Sequence, residues 1–116
     1  MKRVSLIDVS YAAMRIFEKN FNKHLLENGK EFELKLFKST SLFVPSAVGR
    51  VCVAAEHLER NNYDLYLISH MARTYNKNII EETLEFGCNV KQLGPDELTP
   101  DEEGYKSLLN IIEQNI

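Results

Sequence analysis

The chain has 116 residues, 44% of them apolar and 27% charged, which gives room for one domain with one core and argues against long disorder. The net charge of -3 divides unevenly: residues 1 to 60 carry ten Lys/Arg against seven Asp/Glu, residues 61 to 116 four against ten. No Lys/Arg stripe forms, which disfavours tight nonspecific duplex binding. Cys52 and Cys88 lack CxxC or Cys/His spacing, which argues against a structural zinc site and points to two thiols in a reducing, cytoplasmic setting. No apolar run approaches the roughly 20 residues of a bilayer crossing, and Met1-Lys2-Arg3 leads into a strand pattern rather than a signal-peptide core, so no membrane partner is expected.

In chain order, Val4 to Val9 is an apolar run broken by Ser5 and closing at Asp8, the pattern of a central strand buried on both faces of a parallel sheet. Ser10 is placed to cap a helix, whose buried stripe is Met14, Phe17, Phe21 and Leu25 and whose stop is Asn28-Gly29. Phe32, Leu34 and Leu36 alternate with Glu33 and Lys35, the signature of a strand near a sheet edge. Ala47, Val51, Ala54, Ala55 and Leu58 make a second helical stripe after Pro45. Asp64 to Ser69 is again apolar on both parities. A helix through Ile79, Ile80 and Leu84, stopped at Gly87, precedes a short strand over Cys88 to Leu93. The last helix is predicted to start with Thr99 as N-cap, Pro100 at the first helical position and Glu102 three residues after the cap, and to bury Tyr105, Leu108, Leu109, Ile112 and Ile116. The acids Asp96, Glu97, Asp101, Glu102 and Glu103 fit the favourable end of that helix better than a metal site.

Four strands alternating with four helices predict a three-layer α/β/α sandwich around a mainly parallel sheet of about four strands, with Val4–Val9 and Asp64–Ser69 as its adjacent central strands. In such sheets ligands gather outside the carboxyl ends of the strands where strand order reverses. That rule selects Asp8 with Ser10 and Tyr11, and Ser69 with His70. A carboxylate closing a central strand is placed either to hold Mg²⁺ or to accept hydrogen bonds from the amides of the helix that follows. GxGxxG, GxxxxGK(S/T) and GxSxG are all missing, so the common dinucleotide, P-loop and hydrolase readings have no support. Of the remaining candidates, His70 and Arg73 are cations near the crevice with a phosphate-contacting or a plain solvated reading. His24 and His57 are expected to decorate helix surfaces. Tyr66 and Tyr105 fall on core positions rather than serving as base-stacking platforms, for which Tyr63 and Tyr75 are the other candidates.

Leu6-Ile7-Asp8-Val9-Ser10-Tyr11-Ala12 resembles the opening strand of PIN-superfamily nucleases. The stretch from Ala47 to Leu93, with Asn62-Tyr63-Asp64-Leu65-Tyr66-Leu67-Ile68-Ser69, then Glu85-Phe86-Gly87-Cys88-Asn89-Val90, and Gly94-Pro95 beyond it, is similar in layout to the NYN branch. The resemblance implies a Rossmann-like domain in RNA processing or binding. If it is active, the implied chemistry is metal-dependent ribonuclease action, with Asp8 as a Mg²⁺ ligand and His70 or Arg73 steadying the phosphate. NYN nucleases carry further aspartates where this chain reads Ser69-His70-Met71-Ala72-Arg73-Thr74 and Gly49-Arg50-Val51-Cys52. Asp8 alone carries over, with Glu56, Glu81 and Glu82 as the acids that would have to complete a site. The alternative is a non-enzymatic Rossmann-like module for protein interaction or nucleotide sensing. The edge strand and Leu42-Phe43-Val44 beside it predict a homodimer.

Overall fold

The computed structural model describes residues 2–8, 11–38, 63–75 and 89–116. The predicted helices over Ala47–Leu58 and Ile79–Leu84 lie outside the described residues, as do Val9, Ser10, Leu42-Phe43-Val44, Cys52, Cys88, His57, Glu56, Glu81 and Glu82. The elements are β1 (Lys2–Asp8), α1 (Tyr11–Glu27), β2 (Phe32–Lys38), β3 (Leu65–Ile68), α2 (His70–Tyr75), β4 (Val90–Gln92) and α3 (Glu102–Asn115). The four strands form one sheet in the order β2-β1-β3-β4, and every described pairing is parallel. The protein is an α/β sandwich, with β1 and β3 as the adjacent inner strands that their apolar composition predicts.

Strand alternation sorts the core into two layers. Val4 and Leu6 of β1, Leu34 of β2 and Leu65 and Leu67 of β3 face one side, where Phe17, Phe21 and Leu25 of α1 and Leu108 and Ile112 of α3 cover them. Ile7, Tyr66 and Ile68 face the other side and pack with Tyr63 and with Ala72 of α2. Helices therefore stand on both faces. Tyr66 is buried at the centre of the second layer, and Tyr105 packs against the first, so the core reading of both tyrosines holds.

Local signals explain most boundaries. α1 ends at Asn28-Gly29 because Gly29 takes a φ of 67°, a left-handed conformation that costs glycine little. The α1 stripe places Phe17, Phe21 and Leu25 in the core, and two features of this layer depart from expectation. His24 is buried, not superficial: one turn beyond Phe21, its ring stacks on Phe21 at 6.4 Å and lies 5.8 Å from the Tyr105 ring. Ile116 is partly exposed, since α3 ends at Asn115, one residue before it.

The start of α3 also differs from the prediction. Asp101, not Thr99, is the N-cap: its backbone is extended and its carboxylate accepts from the Gly104 amide at 2.7 Å. Thr99 instead donates from Oγ1 to the Asp96 carbonyl at 2.9 Å, and its own carbonyl accepts from the Asp101 amide at 3.0 Å. That carbonyl presses so closely on the first turn that a Cβ at Gly104 would lie 1.9 Å from it. Glu102 and Glu103 occupy the first turn, where the helix dipole favours acids.

β2 lies at one end of the described sheet, and two of its outward amides are met from within the chain. Asn22 of α1 accepts from the Leu34 amide at 2.8 Å and donates to the Leu34 carbonyl at 2.9 Å, while Glu18 accepts from the Leu36 amide. Side chains of α1 thus occupy main-chain groups that an open edge would offer to another strand. Among the described residues no helix is long and apolar enough to cross a membrane.

Candidate functional site

From β1 the chain goes outward to β2 and then crosses to β3 on the other side, so strand order reverses between β1 and β3. Asp8 ends β1 and Ser69 follows β3, which puts both at the carboxyl side of that reversal. The Ser69 amide donates to the Ile7 carbonyl at 3.1 Å, extending the ladder by one bond and bringing the two side chains together. Ser69 Oγ then donates to Asp8 Oδ1 at 2.6 Å and accepts from the Ala72 amide at 3.1 Å. Ser69 is both the N-cap of α2 and a direct partner of the carboxylate. Both residues are nearly inaccessible, Asp8 at 4% and Ser69 at 2% exposure.

Asp8 and Ser69 form the floor of a cleft of about 260 Å³, walled by Met14 of α1, His70 and Met71 of α2, and Gly94, Pro95 and Leu98 of the connection from β4 to α3. The last wall is held by local bonds: the Leu93 amide donates to the Ile68 carbonyl at 2.9 Å, and Glu97 accepts from the Gly94 amide at 2.6 Å. A space of this size suits one ring system or a short stretch of backbone, not a duplex. A groove of about 530 Å³ lies at the opposite, amino end of the sheet, along Lys2, Lys30, Phe32 and Glu113, where the Lys30–Glu113 ion pair at 3.2 Å crosses it. The ends of the strands that α/β sheets use for ligands are at the smaller cleft.

The structure thus brings together three of the predicted site residues, Asp8, Ser69 and His70, and supplies Met14, Met71, Pro95 and Leu98 as apolar walls. Arg73 stands behind the cleft wall and does not line it: Nη1 donates to Gln92 Oε1 and Nη2 to the Leu93 carbonyl, each at 3.1 Å. Tyr11 is the first residue of α1, and Ser10 lies outside the described residues. Tyr63 belongs to another part of the molecule. It is buried before β3, with the Arg3 guanidinium 4.4 Å above its ring.

For Mg²⁺, the group that the PIN/NYN resemblance implies, the donor chemistry fits: a buried carboxylate is a hard oxygen ligand, and Mg²⁺ commonly takes one or two carboxylates and completes its shell with waters and substrate phosphates. No group of three His, Cys, Asp or Glu that could hold a metal occurs among the described residues, and Asp8 is the one carboxylate among the residues that line the cleft. The walls were less legible than the floor. Met14 reads as core, and Met71, Pro95 and Leu98 carry no pattern of their own. Glu97, three residues after Gly94, is the one local signal that this connection is held in a fixed turn. Compared with protein-family models, with curated proteins and with solved structures, the chain matches none.

Proposed function

We propose that this chain is a PIN/NYN-like domain that handles single-stranded RNA or a nucleotide at the carboxyl end of its sheet, as a Mg²⁺-assisted ribonuclease with a reduced set of acids. The observation that carries the reading is the Asp8 carboxylate, buried at the strand-order reversal yet lining a cleft. Mg²⁺ held by Asp8 would polarise a phosphoryl oxygen and make a bound water a better nucleophile. The chain's own contributions are simpler. Ser69 fixes the direction of the carboxylate, His70 gives a nitrogen to a ligand oxygen, and Met14, Met71 and Leu98 line the rest of the cleft with apolar surface.

A second reading, from another class, is a non-enzymatic module for protein interaction or nucleotide sensing. It is favoured by the Asp8–Ser69–Ala72 hydrogen-bond chain, which gives the carboxylate a structural task with no ligand at all. Incubating single-stranded RNA with the wild type and with Asp8→Asn, with and without Mg²⁺, separates the two. The ribonuclease reading expects Mg²⁺-dependent cleavage that falls by orders of magnitude in the variant. A wild type that neither cuts nor binds RNA leaves the module.

The proposal extends to location and assembly: a cytoplasmic protein, as the two unpaired-spacing cysteines suggest, and a homodimer built through β2 and Leu42-Phe43-Val44. Because Asn22 and Glu18 already hold the Leu34 and Leu36 amides, such a dimer would rest on side-chain contacts rather than on strand pairing there.

A further inference from the structure

The Arg73 guanidinium staples α2 to the end of β4 through Gln92 and the Leu93 carbonyl. The same Nη2 lies 3.4 Å from His70 Nδ1, one helical turn earlier on α2. A guanidinium has N–H donors in a fixed fork, no acceptor, and does not deprotonate in proteins. A hydrogen bond across this gap therefore exists only while Nδ1 is an acceptor, and the proton of the neutral imidazole then sits on Nε2. An imidazolium would give up the bond. Packing alone does not account for an arginine at this position, since its Nε is buried and has no hydrogen-bond partner among the described residues, a cost an unbranched apolar side chain would not carry.

We infer that Arg73 is a positioning residue for the cleft: its head group sets the tautomer of the neutral His70 ring, leaving the proton on Nε2, so that the wall beside Asp8 offers a ligand oxygen an N–H donor. The inference rests on the reading of this cleft as the ligand site and refines it. Arg73 acts through His70 instead of meeting phosphate itself. Asp8 is the carboxylate lining the cleft, and a phosphate bound there depends on a cation such as Mg²⁺ to offset that charge.

The test is a long-range imidazole ¹⁵N–¹H correlation spectrum of the uniformly labelled protein at about pH 8, above the ordinary imidazole range, with no RNA and no metal. It reads the tautomer alone, so its failure is distinct from a failure of the ribonuclease reading. The expected wild-type spectrum shows a pyridine-like Nδ1 and a pyrrole-like Nε2 for His70, farther apart than in the urea-denatured chain, whose rings exchange freely between tautomers. Arg73→Met should move the two resonances toward the denatured positions, and Arg73→Lys, whose ammonium also only donates, should restore part of the separation. His24 faces Asn28 Nδ2 at 3.5 Å instead of Arg73, so its unchanged resonances report that each variant is folded. Wild-type His70 protonated at Nδ1, or with nitrogens at the denatured positions, overturns the inference even if Arg73→Met does not fold. So does a folded Arg73→Met with His70 unchanged.

Discussion

Ser69 shows how one hydroxyl can serve two neighbours. It donates to Asp8 Oδ1 and accepts from the Ala72 amide, so the end of β1 and the start of α2 are joined through a single oxygen. Ser69→Ala should cost about 1 to 3 kcal/mol, because it removes a helix cap and a bond to a buried carboxylate together. Asp8→Asn keeps an oxygen that accepts from Ser69 and should stay within about 1 kcal/mol of the wild type, whereas Asp8→Ala leaves that hydroxyl without its acceptor and should cost about 1 to 3 kcal/mol. Urea denaturation of the three variants without Mg²⁺ checks the order. Asp8→Asn as damaging as Asp8→Ala would show that the charge itself, not the acceptor, holds this end of the sheet.

The elements differ in how plainly the chain declares them. β1 and β3 are readable because burial on both faces needs apolar residues at both parities, and both strands have them with β-favouring Val, Ile and Tyr. The stop of α1 is readable because few residues other than glycine adopt a φ of 67°. The start of α3 misleads, since Thr99-Pro100 with Glu102 spells a capping box while Asp101 with Gly104 makes the bond. What decides is a steric fact that local sequence does not announce: the Thr99 carbonyl fills the space a side chain at position 104 would need. Asp101→Ala should therefore cost about 1 kcal/mol and Thr99→Ala at most about half that. Gly104→Ala should cost about 1 to 3 kcal/mol as an overpacking change and displace the turn that carries Pro95 and Leu98. Chemical denaturation ranks the three. His24 departs from the surface position its sequence predicts for a related reason: its place in α1 is set by Tyr105, some eighty positions away, through packing that α1's own periodicity does not contain.

At the scale of the molecule, the parallel order β2-β1-β3-β4 places one cleft at the strand-order reversal, and the floor of that cleft was legible where its walls were not. Asp8 and Ser69 end apolar runs, which marks them, while Met14, Met71, Pro95 and Leu98 meet only through tertiary folding. The same order leaves β2 at the end of the described sheet, with Asn22 as its guard. Asn22→Ala should speed amide exchange at Leu34, measured by hydrogen exchange, and should raise self-association in light scattering by opening the edge. An unchanged Leu34 amide would mean that β2 is protected by something other than α1. The proposed service of Asp8 to a cation and a phosphate-bearing ligand at this cleft can be read from thermal melts of the wild type and Asp8→Asn with Mg²⁺ and a non-cleavable single-stranded RNA analogue. Ligands that bind only the folded state raise its stability. The wild type should show a rise in melting temperature that needs both Mg²⁺ and RNA and is lost in Asp8→Asn. A shift of the same size in both proteins, or no shift in either, would contradict this role of Asp8.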